Sequence, residues 1–397
     1  MTLSQRQLFL NHIAQTSDFP LMLEIDRAEG AYMYREDGKR YLDLISGIGV
    51  SNVGHRHPQV VQAVKDQVDR YMHLMVYGEF VQTPQVRLAE ALTQTLPDPL
   101  NACYFVNSGS EAVEGAMKLA KRYTGRPNLV SCRNAYHGSS QGSLSVCGSE
   151  DFKQAYRPLL PGISHIRFND PEDFALIDER TAAVIVETVQ GEAGVRIADA
   201  GYFQALRQHC DAVGALLILD EIQAGFGRTG TFWAFEPYGI VPDMVLSAKG
   251  MGGGMPIGAF MASQEVMGVL KNNPILGHIS TFGGHPVSAA ASLATLRVIQ
   301  DEKLLEQVPA KAELIKANLN HPAIREIRHR GLMMAVAFDS FEVLKPVIDR
   351  AIELGVLTDW FLYCDNAMRI APPLTIQEGE LEDACAIILQ AIDEVTK

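Results

Sequence analysis

Lys249 is where the chemistry of this chain starts. It ends the stretch Asp243-Met-Val-Leu-Ser-Ala-Lys249, in which Met244 to Leu246 is an apolar run of the length of a short buried strand. Four glycines follow within five residues, then Met255-Pro256. A lysine at the end of a buried strand sits in a low-dielectric place, where burial disfavours its charged form and lowers its pKa. The amine is then a nucleophile able to form a Schiff base with an aldehyde. The glycines let backbone pass close to a bound ring or phosphate without Cβ clashes. Taken alone, Lys249 reads as an ordinary strand-ending lysine before a flexible loop. A nucleotide loop is a poor alternative, because the glycines lack the G-x-G-x-x-G spacing and Pro256 interrupts a helix start.

Asp220, 29 positions upstream, changes that reading. Ala215 to Leu219 is a continuous apolar run closing on Asp220-Glu221, the pattern of a parallel strand buried on both faces. Two such strand ends side by side would bring the lysine and the carboxylate together, where ligands of α/β sheets bind. A carboxylate suits a protonated pyridine nitrogen and a neighbouring lysine suits an aldehyde, the pairing used with pyridoxal phosphate. An Asp-Glu at a strand end more often marks a metal site or nothing, so the pair speaks only in combination.

The stretch Leu219-Asp-Glu-Ile-Gln-Ala-Gly-Phe-Gly-Arg-Thr-Gly230, followed by Pro242-Asp through Lys249-Gly, resembles the class III aminotransferases of ornithine, acetylornithine and 4-aminobutyrate type. The order of motifs is similar from about residue 20 to 376. The resemblance implies a fold type I pyridoxal phosphate enzyme. Its large domain carries a mostly parallel sheet of the seven-stranded type between helices, beside a smaller α+β domain. It implies Lys249 as the catalytic residue and as the cofactor's anchor, Asp220 on the pyridine nitrogen and Gln223 on the ring hydroxyl. Tyr136 is implied on the ring face with His137 beside it, and Ser108, Gly109, Ser110 and a second subunit's Thr281 on the phosphate. Glu187 ends the buried strand Ala182 to Glu187 and Glu192 lies past it; the resemblance counts Glu187 with the cofactor and faces Glu192 toward Arg369, the candidate for a substrate carboxylate. Ile48 and Glu79 complete the implied substrate residues, and the active sites are shared in a homodimer.

The elements that must position these groups are legible in outline. Strand and helix alternate from about 102 to 262, as in a mostly parallel sheet covered on both faces. Ser108 and Glu111 have capping-box spacing at the start of a helix, and a helix N-terminus suits phosphate. Leu21 to Leu44 reads as a small antiparallel sheet, and Tyr71 to Thr83, rich in aromatics and methionine, reads as core or as a loop toward a partner subunit. The expected division is 1–57 with the small domain, 58–300 as the large domain and 301–397 as the small one. His55 and His57 lie two apart on a loop without partner ligands, so no metal is expected.

Net charge is −13 with no basic run, which argues against nucleic acid. No apolar run approaches the ~18 residues of a membrane span, and the polar, amphipathic Met1 to Thr16 does not read as a signal peptide. The six cysteines are scattered without a C-x-x-C, which fits a reduced, cytoplasmic protein.

The reaction expected is transfer of an amino group from an ω-amino acid or related primary amine to a 2-oxo acid, 2-oxoglutarate by preference. Acetylornithine or ornithine donors, or an aminomutase on the same cofactor, are the alternatives. Ser139 stands where many acetylornithine and ornithine members carry an arginine after His-Gly. Acetylornithine is therefore expected to be a poor donor.

Overall fold

The computed structural model describes residues 3–76 and 78–396. After a helix at Gln5–His12, three short strands form an antiparallel meander: β1 (Arg27–Glu29), β2 (Tyr32–Tyr34) and β3 (Arg40–Asp43). Helix Pro58–Arg70 follows, with proline in its first turn, where the missing N–H is harmless. The apolar side chains of the segment after it do not enter the core: Met72, Leu74, Met75, Phe80 and Val81 are all exposed. Tyr77 lies outside the described residues.

The central layer begins with β4 (Ala102–Val106), β5 (Asn128–Cys132), β6 (Ile163–Ile166) and β7 (Thr181–Glu187), then a small ribbon of β8 (Val189–Gln190) and β9 (Arg196–Ile197). It continues with β10 (Leu216–Asp220), β11 (Met244–Ser247) and β12 (Gly258–Ala262). The ribbon apart, these make one seven-stranded sheet in the order β4-β12-β11-β10-β7-β5-β6. Only β12 runs antiparallel to its neighbours. Every residue of β7, β10, β11 and β12 is buried, which is why these strands are unbroken apolar runs and not alternating ones. Helix Gly109–Thr124 packs Val113, Ala116 and Ala120 onto the sheet and ends at Gly125 in the left-handed conformation. Its Gly115 lies so close to Phe260 of β12 that a Cβ there would fall 2.3 Å from the ring.

The C-terminal part holds β13 (Glu326–Arg330), β14 (Met333–Ala337), β15 (Val356–Leu357), β16 (Asp359–Phe361) and β17 (Cys364–Ile370). The first two join β17 and β16 in a four-stranded antiparallel sheet, while β15 pairs in parallel with β3 and so binds the N-terminal meander to the C-terminal part. Helices Phe341–Leu354 and Glu378–Val395 pack on each other beside these strands. Among the described residues no helix is long and apolar enough to cross a membrane, and no group of three or more His, Cys, Asp or Glu side chains could hold a metal.

Candidate active site

The carboxyl ends of the parallel strands converge on one cavity of about 400 Å³. Glu187 ends β7, Asp220 ends β10, and Lys249 lies two residues past β11. The register of β10 with β11 sets Asp220 level with Leu246, so the two apolar runs deliver carboxylate and amine to the same floor. Ser108, Gly109, Ser110, Tyr136, His137, Glu187, Glu192, Asp220, Gln223 and Lys249 all border this cavity. Arg369 does not border it but reaches Glu192 from behind.

Lys249 takes a left-handed backbone (φ 46°), and burial lowers its pKa against the pull of Glu192, so the neutral amine is favoured relative to a free lysine. Asp220, 4% exposed, is fixed on both oxygens. Its Oδ1 accepts from the Ile222 N–H at 3.0 Å, and its Oδ2 lies 2.7 Å from His137 Nδ1. The other ring nitrogen of His137 lies 3.2 Å from Ser131 Oγ. Burial would lower the His137 pKa, but its hydrogen bond to Asp220 and the charges of Asp220 and Glu187 raise it overall. Glu187 accepts from the Tyr136 and Gly191 N–H groups at 2.9 Å each, yet burial still pushes its carboxyl up to about 7.

Helix Gly109–Thr124 opens onto the cavity, and the first N–H groups of a helix have no partner inside it. The capping box read from Ser108 and Glu111 is half present. Ser108 Oγ accepts from the Glu111 N–H at 3.2 Å, but the Glu111 carboxylate turns back to the Asn107 N–H and Nδ2, at 2.9 and 2.8 Å. Gly138 approaches this turn at φ 123°, where a Cβ would fall 2.2 Å from Ser110 Oγ.

On the opposite wall Glu192 and Arg369 form a two-pronged ion pair, each oxygen 2.9 Å from one terminal guanidinium nitrogen. Both are nearly buried, at 3% and 4% exposure. Burial would raise Glu192, but the charge and hydrogen bonds of Arg369 prevail and hold it at about 2. Gln223 Nε2 also donates to Glu192, at 3.1 Å. Ile48, with left-handed backbone (φ 64°), lies in a narrow cleft with Gln223, Phe361 and Arg369, and Val50 is the residue of its segment that borders the cavity. Glu79 and Thr281 are exposed and border no part of this chain's own cavity. Ser139 is exposed, its Oγ 3.2 Å from the Tyr136 hydroxyl.

Sequence reasoning passed over Asp359, whose Oδ1 accepts from Arg369 Nε at 2.9 Å. The signal for it is the pairing of β16 with β17, which the sequence does not display.

Residues 13–392 match the family model described as aminotransferase class-III. The chain belongs to the class III aminotransferases. It is 40% identical over 386 residues to the acetylornithine aminotransferase of Methanopyrus kandleri, covering 96% of each chain. It is 35% identical over 378 residues to the [LysW]-aminoadipate semialdehyde/glutamate semialdehyde transaminase of Sulfolobus acidocaldarius, covering 93% of this chain and 95% of that one. Among solved structures it resembles the ornithine aminotransferase of Toxoplasma gondii, described with partial occupancy of PLP at its active site. That match has a TM-score of 0.90 and 30% identity, over 98% of this chain and 93% of the other.

Class III aminotransferases depend on pyridoxal phosphate, and the cavity of this one fits it. It offers a lysine with a lowered pKa, a buried carboxylate for a ring nitrogen, an open helix N-terminus for a phosphate, and room for a ring between them.

Proposed function

We propose that this aminotransferase takes an amino group from a donor whose amine is remote from its carboxylate and delivers it to 2-oxoglutarate. The observation carrying this reading is the Glu192–Arg369 pair at the wall of the Lys249 cavity. A transaminase admits two substrates in turn to one pocket. Glutamate presents a carboxylate next to its reacting carbon, which suits Arg369. A remote amine presents none there, and an unpaired buried arginine would be costly. A glutamate that pairs with Arg369 during that visit removes the cost.

When bound, pyridoxal phosphate supplies an aldehyde and an electron-accepting pyridine ring. Asp220, steadied by His137, would hold the proton on the pyridine nitrogen. The first turn of helix Gly109–Thr124, with Ser108 and Ser110, and Thr281 of the partner subunit would hold the phosphate. Tyr136 would lie on the ring face, with Glu187 holding its backbone, and Gln223 would meet the ring hydroxyl. The Lys249 amine would anchor the cofactor and then carry the proton at the substrate's reacting carbon. Exposed Met72, Phe80, Val81 and Phe282 flank Glu79 and Thr281, which supports a homodimer with shared sites. The pairing of β3 with β15 supports grouping residues 1–57 with 301–397 around the large domain 58–300. The free cysteines are in keeping with a cytoplasmic protein.

Within this donor class, Ser139 favours ω-amino acids, because it stands beside Tyr136 where many acetylornithine and ornithine members carry an arginine. The names of the relatives favour the second reading, acetylornithine or ornithine. A donor panel of ω-amino acids, acetylornithine and ornithine against 2-oxoglutarate tests both. Glutamate formed stoichiometrically from one of them is the expected result. Turnover without consumption of the 2-oxo acid would make the protein an aminomutase instead.

A further inference from the structure

Arg369 is held from two directions. The register of β16 with β17 sets Asp359 directly opposite Arg369, which puts the two side chains on one face of the sheet. Asp359 Oδ1 accepts from Arg369 Nε at 2.9 Å. Arg369 Nη2 also donates to the Trp360 carbonyl at 3.3 Å, and the guanidinium carbon lies 4.4 Å from the centre of the Phe361 ring. All three contacts come from β16, and none involves Glu192. Glu192 in turn has donors besides Arg369, in Gln223 Nε2 and the Leu362 N–H, both at 3.1 Å. The guanidinium therefore divides its donors: the terminal nitrogens face Glu192, and Nε faces Asp359.

Building on the reading that Glu192 gives way to a substrate carboxylate, we propose that Asp359 is a positioning residue which fixes the Arg369 guanidinium through Nε while its terminal nitrogens exchange one carboxylate for another. An arginine held only by the departing glutamate would turn with it, or be left as a bare buried cation. Held at Nε, the fork keeps its plane and meets the incoming carboxylate with both prongs already aimed. The hydrogen bond at Nε persists through the exchange. Burial pushes the Asp359 carboxyl up to about 6 in spite of Arg369, so it is this bond, more than a full counter-charge, that fixes the fork.

The test uses the purified holoenzyme and follows each half-reaction separately by stopped flow. Asp359→Ala should raise the apparent dissociation constant for glutamate about tenfold, with its limiting rate and the amine-donor half-reaction changed by less than about twofold. Asp359→Asn, which keeps an oxygen opposite Nε–H, should recover most of the loss. Equal weakening of both half-reactions in Asp359→Ala, or an asparagine variant no better than alanine, overturns the proposal. Arg369→Ala, run beside them, separates the two levels. If it loses the glutamate half-reaction while Asp359→Ala matches wild type, only the role of Asp359 fails. If it leaves that half-reaction intact, the reading of Arg369 fails with it.

Discussion

Two buried arginines line the cleft marked by Ile48 and Gln223, and they are satisfied in opposite ways. Arg228, 1% exposed, donates to neutral oxygens: the carbonyls of Leu332 and Pro372, at 3.0 and 2.5 Å, and Asn52 Oδ1 at 2.7 Å. Burial lowers its pKa to about 9, with only Asp43 opposing. Arg369 is as deeply buried, but Glu192 and Asp359 outweigh the burial and raise its pKa. A guanidinium satisfied by backbone carbonyls cannot exchange partners without unmaking the fold around it. One satisfied by side-chain carboxylates can, because a substrate carboxylate offers the same two oxygens. Arg228, inside the stretch that most resembles the family, thus ties segments near 52, 332 and 372 together, and Arg369 stands behind Glu192 at the wall of the Lys249 cavity.

The comparison breaks most visibly if Arg228→Met is tolerated. That change leaves two carbonyls and an amide oxygen buried without donors, and a loss of about 2–4 kcal/mol in unfolding free energy is expected from chemical denaturation. The ratio of the two half-reaction rates in the folded fraction should stay at the wild-type value; a changed ratio would give Arg228 a part in substrate choice. Arg369→Ala should do the reverse. Glutamate loses two charge-assisted contacts, so its half-reaction should slow about 100-fold or more while the amine-donor half-reaction falls far less. A uniform fall would reduce Arg369 to a brace like Arg228.

Glu192 sharpens the contrast through pH. Its carboxyl is depressed to about 2 from an ordinary 4.5, so the stability it confers is fully present above about 4.5 and is lost as pH falls toward 2. Glu192→Gln should therefore be less stable than wild type by about 3 kcal/mol at pH 7, with the gap closing below pH 4.5. The same variant frees Arg369, so glutamate should react faster and the amine donor more slowly. A gap that persists unchanged to pH 2.5 would mean that the loss comes from packing and not from charge. The smallest effect belongs to an added arginine: Ser139→Arg, at the exposed position beside Tyr136, should improve acetylornithine as donor by about tenfold or less, the worth of one solvent-screened charged contact. No change in the ratio of acetylornithine to 4-aminobutyrate turnover would show that the donor's carboxylate is held elsewhere.

The sequence by itself determined the sheet and the floor of the site. Strands buried on both faces must be unbroken apolar runs, so Asp220, which ends one of them, and Lys249, two residues past another, stand out in combination, and the order of strands and helices follows from the same periodicity. The residue pattern left the walls open: the family resemblance faced Glu192 toward Arg369, and the tertiary structure decided how they meet. Glu192 and Arg369 are 177 residues apart, and their bond depends on how β17 is laid against the cavity. Asp359 enters only because the register of β16 puts it opposite Arg369 and not one residue along, where it would face the other side of the sheet. The fate of Glu111 was likewise open in the sequence: capping-box spacing permits a bond to the Ser108 N–H, and the fold gives that carboxylate to Asn107 instead. Burial of apolar runs is a local property that composition displays. Which carboxylate neutralises which buried cation is settled by long-range geometry, because any of several acids has the right charge and only position distinguishes them.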